Sequence, residues 1–289
     1  MMKFTSIRIV ICYFGKWPEW FNLFLKSCAF NPTVEFLIFT DCIIPEYESR
    51  NVKFIAFNLS AFNQLASQKL HLRINVEKPY KLCDFKPAYG IIFEDYLEGA
   101  HFWGCSDLDV IFGNIRKFIS ERVLSCYDVI TAKKQYLLGH FTLYKNCDEV
   151  NHLYEQSEDY VKVFESQRNF CFDECNFLWW YILKGKSISS IKYEIDSMSH
   201  VVKRLCQQGH IKAFFKSLML EQDQLTQSGK LADWNEQLLW KEGKLINTNN
   251  NREYLYLHFH FLKRLTEFKI PEWEIIPDSF YVSSAGFYT

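Results

Sequence analysis

The chain has 289 residues, enough for a substantial buried core, and its 48% hydrophobic and 23% charged residues are those of an ordinary globular protein. A formal net charge of −1 supplies no global basic field, which speaks against nucleic acid as a partner. Ten cysteines at irregular spacings, with no Cys-x-x-Cys pair, read as reduced thiols in a cytosol. The aromatic share of 18% suits flat-faced ligands such as sugars or bases, and equally a Phe-rich core.

Lys3 and Arg8 precede the apolar run 9–14. That run is too short for a signal-peptide core and no small-residue cleavage site follows it. No stretch approaches the roughly 20 apolar residues of a membrane span. The expected location is therefore cytoplasmic.

Over residues 1–135 short apolar runs alternate with helical patterns, which predicts an α/β sheet covered on both faces. Strands are predicted over 7–14, 34–40 and 52–57, and helices over 19–29, 60–72 and 85–97, the last with Pro87 in its first turn. A strand over 101–107 then delivers the acidic pair Asp107-Leu108-Asp109. Further on come a helix (115–124), strands (127–132, 139–144), helices (148–164, 174–183), a hairpin (238–246) and strands (254–261, 281–284). With no repeat or linker the expectation is a single domain over 1–289, in two halves, 1–135 and 136–289. Residues 201–219 carry Val201, Val202, Leu205, Ile211, Phe214, Phe215, Leu218 and Met219 at helical spacing among Lys203, Arg204, Lys212 and Lys216. Such a helix either packs on the core or makes peripheral contact with an anionic membrane surface.

Asp107 and Asp109 stand at a strand's carboxyl end, where open α/β sheets place ligands. Two carboxylates so spaced can hold a divalent cation, and the cation can hold a diphosphate. Four segments extend this: Tyr13-Phe14-Gly15-Lys16-Trp17-Pro18, Lys81 to Gly90, Trp103-Gly104-Cys105-Ser106-Asp107-Leu108-Asp109, and His260-Phe261-Leu262-Lys263-Arg264. Together they resemble bacterial GT-A-type glycosyltransferases of surface-polysaccharide gene clusters, over most of the chain.

The resemblance implies a GT-A-like mixed central sheet flanked by helices and a metal-dependent glycosyltransferase. Its donor would be a nucleotide sugar, expected as a UDP-sugar, and its acceptor a glycan or lipid-linked saccharide in capsule or lipopolysaccharide synthesis, met at the inner face of the cell membrane. It further implies Mn²⁺ or Mg²⁺ held by the Asp-x-Asp motif, with Asp109 in direct coordination, Asp107 on the metal through water or on the donor ribose, and His260 as third ligand. An imidazole favours Mn²⁺. His258 shares the strand face of His260, so the ligand is either histidine.

Lys263 and Arg264 would pair with phosphate oxygens or solvate a strand end. Tyr13, Phe14 and Gly15 would wrap the base and ribose, with Tyr13 or Phe14 stacking and Gly15 allowing close backbone approach. Asp84 and Lys86 would lie beside the donor, Asp84 being also a helix N-cap candidate. Asp173 and Glu174, opening a helix, are the candidate catalytic carboxylates for the acceptor hydroxyl's proton, or ordinary charges favoured by the helix dipole. Two alternatives stand beside this: a non-catalytic carbohydrate-binding protein of the same fold, and a haloacid-dehalogenase-type phosphatase. The latter carries Asp-x-Asp near the N-terminus followed by Thr, where this chain has Val110-Ile111-Phe112.

Overall fold

In a computed structural model of the chain, describing residues 4–47, 49–224 and 232–289, the alternation of the sequence becomes a mixed α/β architecture around a seven-stranded sheet. Lys3 lies outside the described residues. The chain gathers into two compact units, each assembled from three segments. One holds Met1–Lys16, Thr33–Asp107 and Glu121–Ser217; the other holds Trp17–Pro32, Leu108–Ser120 and Leu218–Thr289.

The first unit contains the large sheet, in the order Val52–Ala56, Val34–Thr40, Ile7–Tyr13, Phe102–Ser106, Phe141–Lys145, Val129–Thr131, Ala213–Phe215. The first four strands run parallel, and Phe141–Lys145 pairs antiparallel with both its neighbours. Ile7–Tyr13 and Val34–Thr40 are almost continuously apolar because both sheet faces are covered. Much of the aromatic excess goes into this core: Phe39, Phe62, Phe85 and Phe93 are fully buried, and Trp103 stacks on Tyr144 at 4.5 Å.

Gly104 sits in the middle of this packing. A Cβ there would come 2.6 Å from the Thr142 carbonyl oxygen and 2.5 Å from Leu143 Cδ2. Gly104→Ala is expected to lower stability by about 1–3 kcal/mol through overpacking, read from the urea midpoint.

Several predicted helices are broken in the structure. Instead of one helix over 85–97 there is a 3-10 helix, Pro79–Ala88, followed by the one-turn α-helices Tyr89–Ile92 and Glu94–Leu97. Pro87 lacks the N–H that an α-helical ladder would need there. Asp84 thus lies inside the 3-10 segment and caps nothing. The helix expected over 148–164 divides into Asp148–Asn151, Leu153–Gln156 and Tyr160–Glu165, with Ser157 between the last two donating to the Asp196 carbonyl at 2.6 Å. The helix expected from 174 begins only at Trp179, so Asp173 and Glu174 lie in a turn and not at a helix N-terminus. Nor is 201–219 a continuous helix: Met198–Gln207 buries Val201, Val202 and Leu205 in the core, Gly209 takes φ +78°, and Ala213–Phe215 becomes the sheet's edge strand.

In the second unit Leu238–Lys241 and Lys244–Asn247 form the expected hairpin inside a five-stranded antiparallel sheet with Glu253–Tyr254, Ser279–Ser283 and Gly286–Tyr288. A second sheet joins Val110–Phe112, Tyr256–His258 and Leu220–Glu221. The helix Phe21–Ala29 belongs to this unit, and Asn31 just after it donates to the Gly113 carbonyl at 2.9 Å. All ten thiols are free. Among the described residues no helix is long and apolar enough to cross a membrane.

Candidate functional site

The boundary between the two units falls within the acidic motif, between Asp107 and Leu108. Each carboxylate therefore has its own surroundings.

In the second unit Asp109 immediately precedes Val110–Phe112, which pairs antiparallel with Tyr256–His258, Val110 opposite His258. The Phe259 N–H donates to the Asp109 carbonyl at 3.1 Å, fixing the turn that follows the strand. His258 ends the strand and His260 stands two residues on, and both imidazoles reach Asp109. His258 Nε2 lies 3.5 Å from Asp109 Oδ1 and His260 Nδ1 3.3 Å from Oδ2. Lys263 Nζ, on the 3-10 turn Leu262–Arg264, donates to Oδ2 at 2.7 Å and lies 4.6 Å over the Trp20 ring. Arg264 is exposed beside the Phe261 ring.

Burial opposes the charge of Asp109, but His258, His260 and Lys263 outweigh it and hold the carboxyl well below the usual range. Burial likewise opposes a charged His258, yet Asp109 and Glu221 push its pKa up to about 10. One ligand atom each from Asp109, His258 and His260 fall within 4.8 Å of one another. One carboxylate and two imidazoles form a donor set suited to a transition-metal ion such as Mn²⁺ or Zn²⁺.

In the first unit Asp107 follows the strand Phe102–Ser106 and is bonded by Lys86. Lys86 Nζ also donates to the Gly139 carbonyl at 2.9 Å and lies 3.9 Å from Asp173 Oδ2. Burial disfavours the ammonium, but Asp107, Cys83 and Asp173 hold Lys86 well above its ordinary value. Burial, reinforced by Glu174, Asp84 and Asp107 against the pull of Lys86, pushes the Asp173 carboxyl well above the usual range.

Its neighbour behaves differently. Glu174 Oε1 accepts the Gly139 N–H at 2.8 Å, and Oε2 accepts Trp179 Nε1–H at 2.7 Å. A Cβ at Gly139 would lie 2.0 Å from Asp173 Oδ2, so a side chain there requires the Asp173 carboxyl to move.

The turn carrying this pair is strained. Cys171, Asn176 and Phe177 all have positive φ (52°, 53° and 59°), each costing about 1–3 kcal/mol in a non-glycine residue. Asp84 supplies the compensating hold: its fully buried carboxylate accepts Phe170 N–H at 2.9 Å, Phe172 N–H at 2.8 Å and Lys81 Nζ–H at 2.8 Å. The structure thus places Asp84 as an internal strut. Phe14 is buried in the core, whereas Tyr13 is half-buried, with its hydroxyl donating to the Lys16 carbonyl at 3.1 Å. Gly15, at φ +106°, donates its N–H to Asp41 Oδ1 at 2.7 Å.

Two residues of these constellations carry no signal in the sequence pattern. Glu221 meets His258 only because a two-residue strand aligns them, and Asp41 meets Gly15 only across parallel strands.

A family model described as a family of unknown function (DUF6625) matches residues 9–289. No match is found among curated proteins. Among solved structures the chain is similar to a crystal structure of the galactosyltransferase LgtC in complex with donor and acceptor sugar analogues. The identity is 12%, covering 58% of this chain and 71% of that one, with a TM-score of 0.37.

Proposed function

The chain belongs to the family of unknown function DUF6625, and from its own residues we propose that it is a metal-dependent glycosyltransferase using a nucleotide sugar, with UDP-linked donors the first to test. The observation that carries this reading is the convergence of Asp109, His258 and His260 donor atoms within 4.8 Å, at the second carboxylate of an Asp-x-Asp motif. The resemblance of the surrounding segments to GT-A-type enzymes supports it. Asp109, His258 and His260 would hold the cation. A cation held there would supply Lewis-acid neutralisation of the charge that builds on the nucleoside diphosphate leaving group.

The remaining roles belong to side chains. Lys263 and Arg264 offer cationic donors to phosphate oxygens, and Asp107, held by Lys86, takes the donor ribose. Tyr13 offers the ring face for the base. Asp173, 3.9 Å from Lys86 Nζ, is the carboxyl we assign to take the acceptor hydroxyl's proton in its ionised form as the glycosidic bond forms. Glu174 is bonded at both oxygens and holds the turn in place. The acceptor is a glycan or lipid-linked saccharide of surface-polysaccharide synthesis.

A thermal-shift screen of nucleotide sugars with and without Mn²⁺, followed by assay of nucleoside diphosphate release, tests the reading. Mass action predicts a metal-dependent stabilisation with one donor class. No metal-dependent shift with any nucleotide sugar would overturn it.

A further inference from the structure

We infer that Glu221 is a positioning residue that makes His258 a metal ligand by fixing which ring nitrogen carries the proton; the inference rests on the reading of Asp109, His258 and His260 as the metal ligands. Leu220–Glu221 is a two-residue strand parallel to Tyr256–His258, with Glu221 in register with His258. The flanking chain is anchored on both sides: Leu255 N–H donates to the Leu218 carbonyl and Gln222 Nε2–H to the Ala232 carbonyl, each at 2.8 Å. Glu221 Oε1 lies 2.7 Å from His258 Nδ1, and both side chains are only 8% exposed.

An ionised carboxylate only accepts hydrogen bonds, so Nδ1 is the donor in this pair. In the neutral ring the lone pair then belongs to Nε2. Nε2 is the nitrogen turned toward Asp109, 3.5 Å from its Oδ1. The carboxylate therefore orients the ring and raises its basicity at the atom that would meet the metal, as outer-shell partners of ligating histidines do. His260 approaches Asp109 through Nδ1, so the tautomer enforced at His258 is not the one used by its neighbour.

The test uses the full chain and metal ions alone. Mn²⁺ affinity is measured by electron paramagnetic resonance of the free ion, and ligand geometry from the Co²⁺ d–d spectrum. Glu221→Gln is expected to weaken Mn²⁺ binding about 10–100-fold and to alter the Co²⁺ spectrum, with the metal-free fold unchanged by circular dichroism. In a His258→Ala background the same substitution is expected to cost no more than about twofold, since its effect passes through the imidazole.

An unchanged Mn²⁺ affinity in Glu221→Gln, or an equal loss in the His258→Ala background, overturns the inference. A second measurement needs no variant: in the Zn²⁺-loaded wild type, nitrogen–proton correlation spectra are expected to show His258 protonated at Nδ1, and protonation at Nε2 overturns it. A wild type that binds neither Mn²⁺ nor Co²⁺ removes the metal reading and this inference together. A binding wild type with an equally binding Glu221→Gln removes this inference alone.

Discussion

Asp109→Asn is expected to abolish divalent-metal binding and to destabilise the metal-free chain by about 3 kcal/mol. Asp109 is 6% exposed and is the anion shared by Lys263, His258 and His260. Removing its charge leaves the Lys263 ammonium without its carboxylate over the Trp20 ring, and His258 with Glu221 alone of the two carboxylates that raise it. Breaking one member of a buried ion cluster costs more than the intact cluster contributes, because the partners stay desolvated.

Adding Lys263→Met to Asp109→Asn is therefore expected to restore part of the loss, by about 1 kcal/mol in urea unfolding. Calorimetric titration with Mn²⁺ checks the metal half of the prediction. Wild-type affinity in Asp109→Asn would remove this residue from the coordination sphere, and undiminished stability would show that the cluster is not electrostatically coupled.

The second large effect is expected at Lys86, the cation between Asp107 and Asp173. Lys86→Met leaves the buried Asp173 and the part-exposed Asp107 without their shared cation and is expected to cost about 1–2 kcal/mol near neutral pH. The pH dependence follows from Asp173. Its folded-state pKa is raised, so the folded chain binds the proton more tightly than the unfolded one, and stability falls as pH rises from the ordinary value of 3.8 through the raised value.

Lys86 is the group that opposes this rise, so Lys86→Met should extend the decline to higher pH. Asp173→Asn, which cannot ionise, should flatten it and add about 1 kcal/mol at neutral pH while removing the proposed proton acceptor. Urea midpoints between about pH 4 and pH 8 decide the matter: a wild-type slope in Asp173→Asn would place the proton elsewhere.

What could be read from the sequence follows the physics of each signal. Ile7–Tyr13 and Val34–Thr40 are legible because β-branched, doubly buried strands write their burial into composition. The division of 79–97 into a 3-10 helix and two one-turn α-helices is hidden, since the pattern of Phe85, Ala88, Tyr89 and Ile92 suits a continuous α-helix and only Pro87 objects. The turn at 171–177 is hidden for another reason: left-handed Cys171, Asn176 and Phe177 depend on Asp84 bonds spanning 86 and 88 residues, which no local window contains. The proximity of Asp109 and His260 is expected from the resemblance and found in the geometry. That His258 reaches Asp109 as well as His260 is consistent with their i, i+2 spacing, which left either histidine open as the ligand.

The threefold interleaving of the two units bears on how the chain is made. Phe21–Ala29 is synthesised early, yet the sheets of its unit come mainly from Leu218–Thr289. On the ribosome the Phe24 face of that helix can meet Phe112 early, whereas Leu23 must wait for the residues from Trp234 onward that complete its cluster. A fragment ending near residue 217 would hold every segment of the first unit but leave Leu23 and Ile111 without the C-terminal residues of their cluster, so premature termination there does not yield a complete half. Neither unit can be inherited, swapped or expressed as one contiguous stretch of gene.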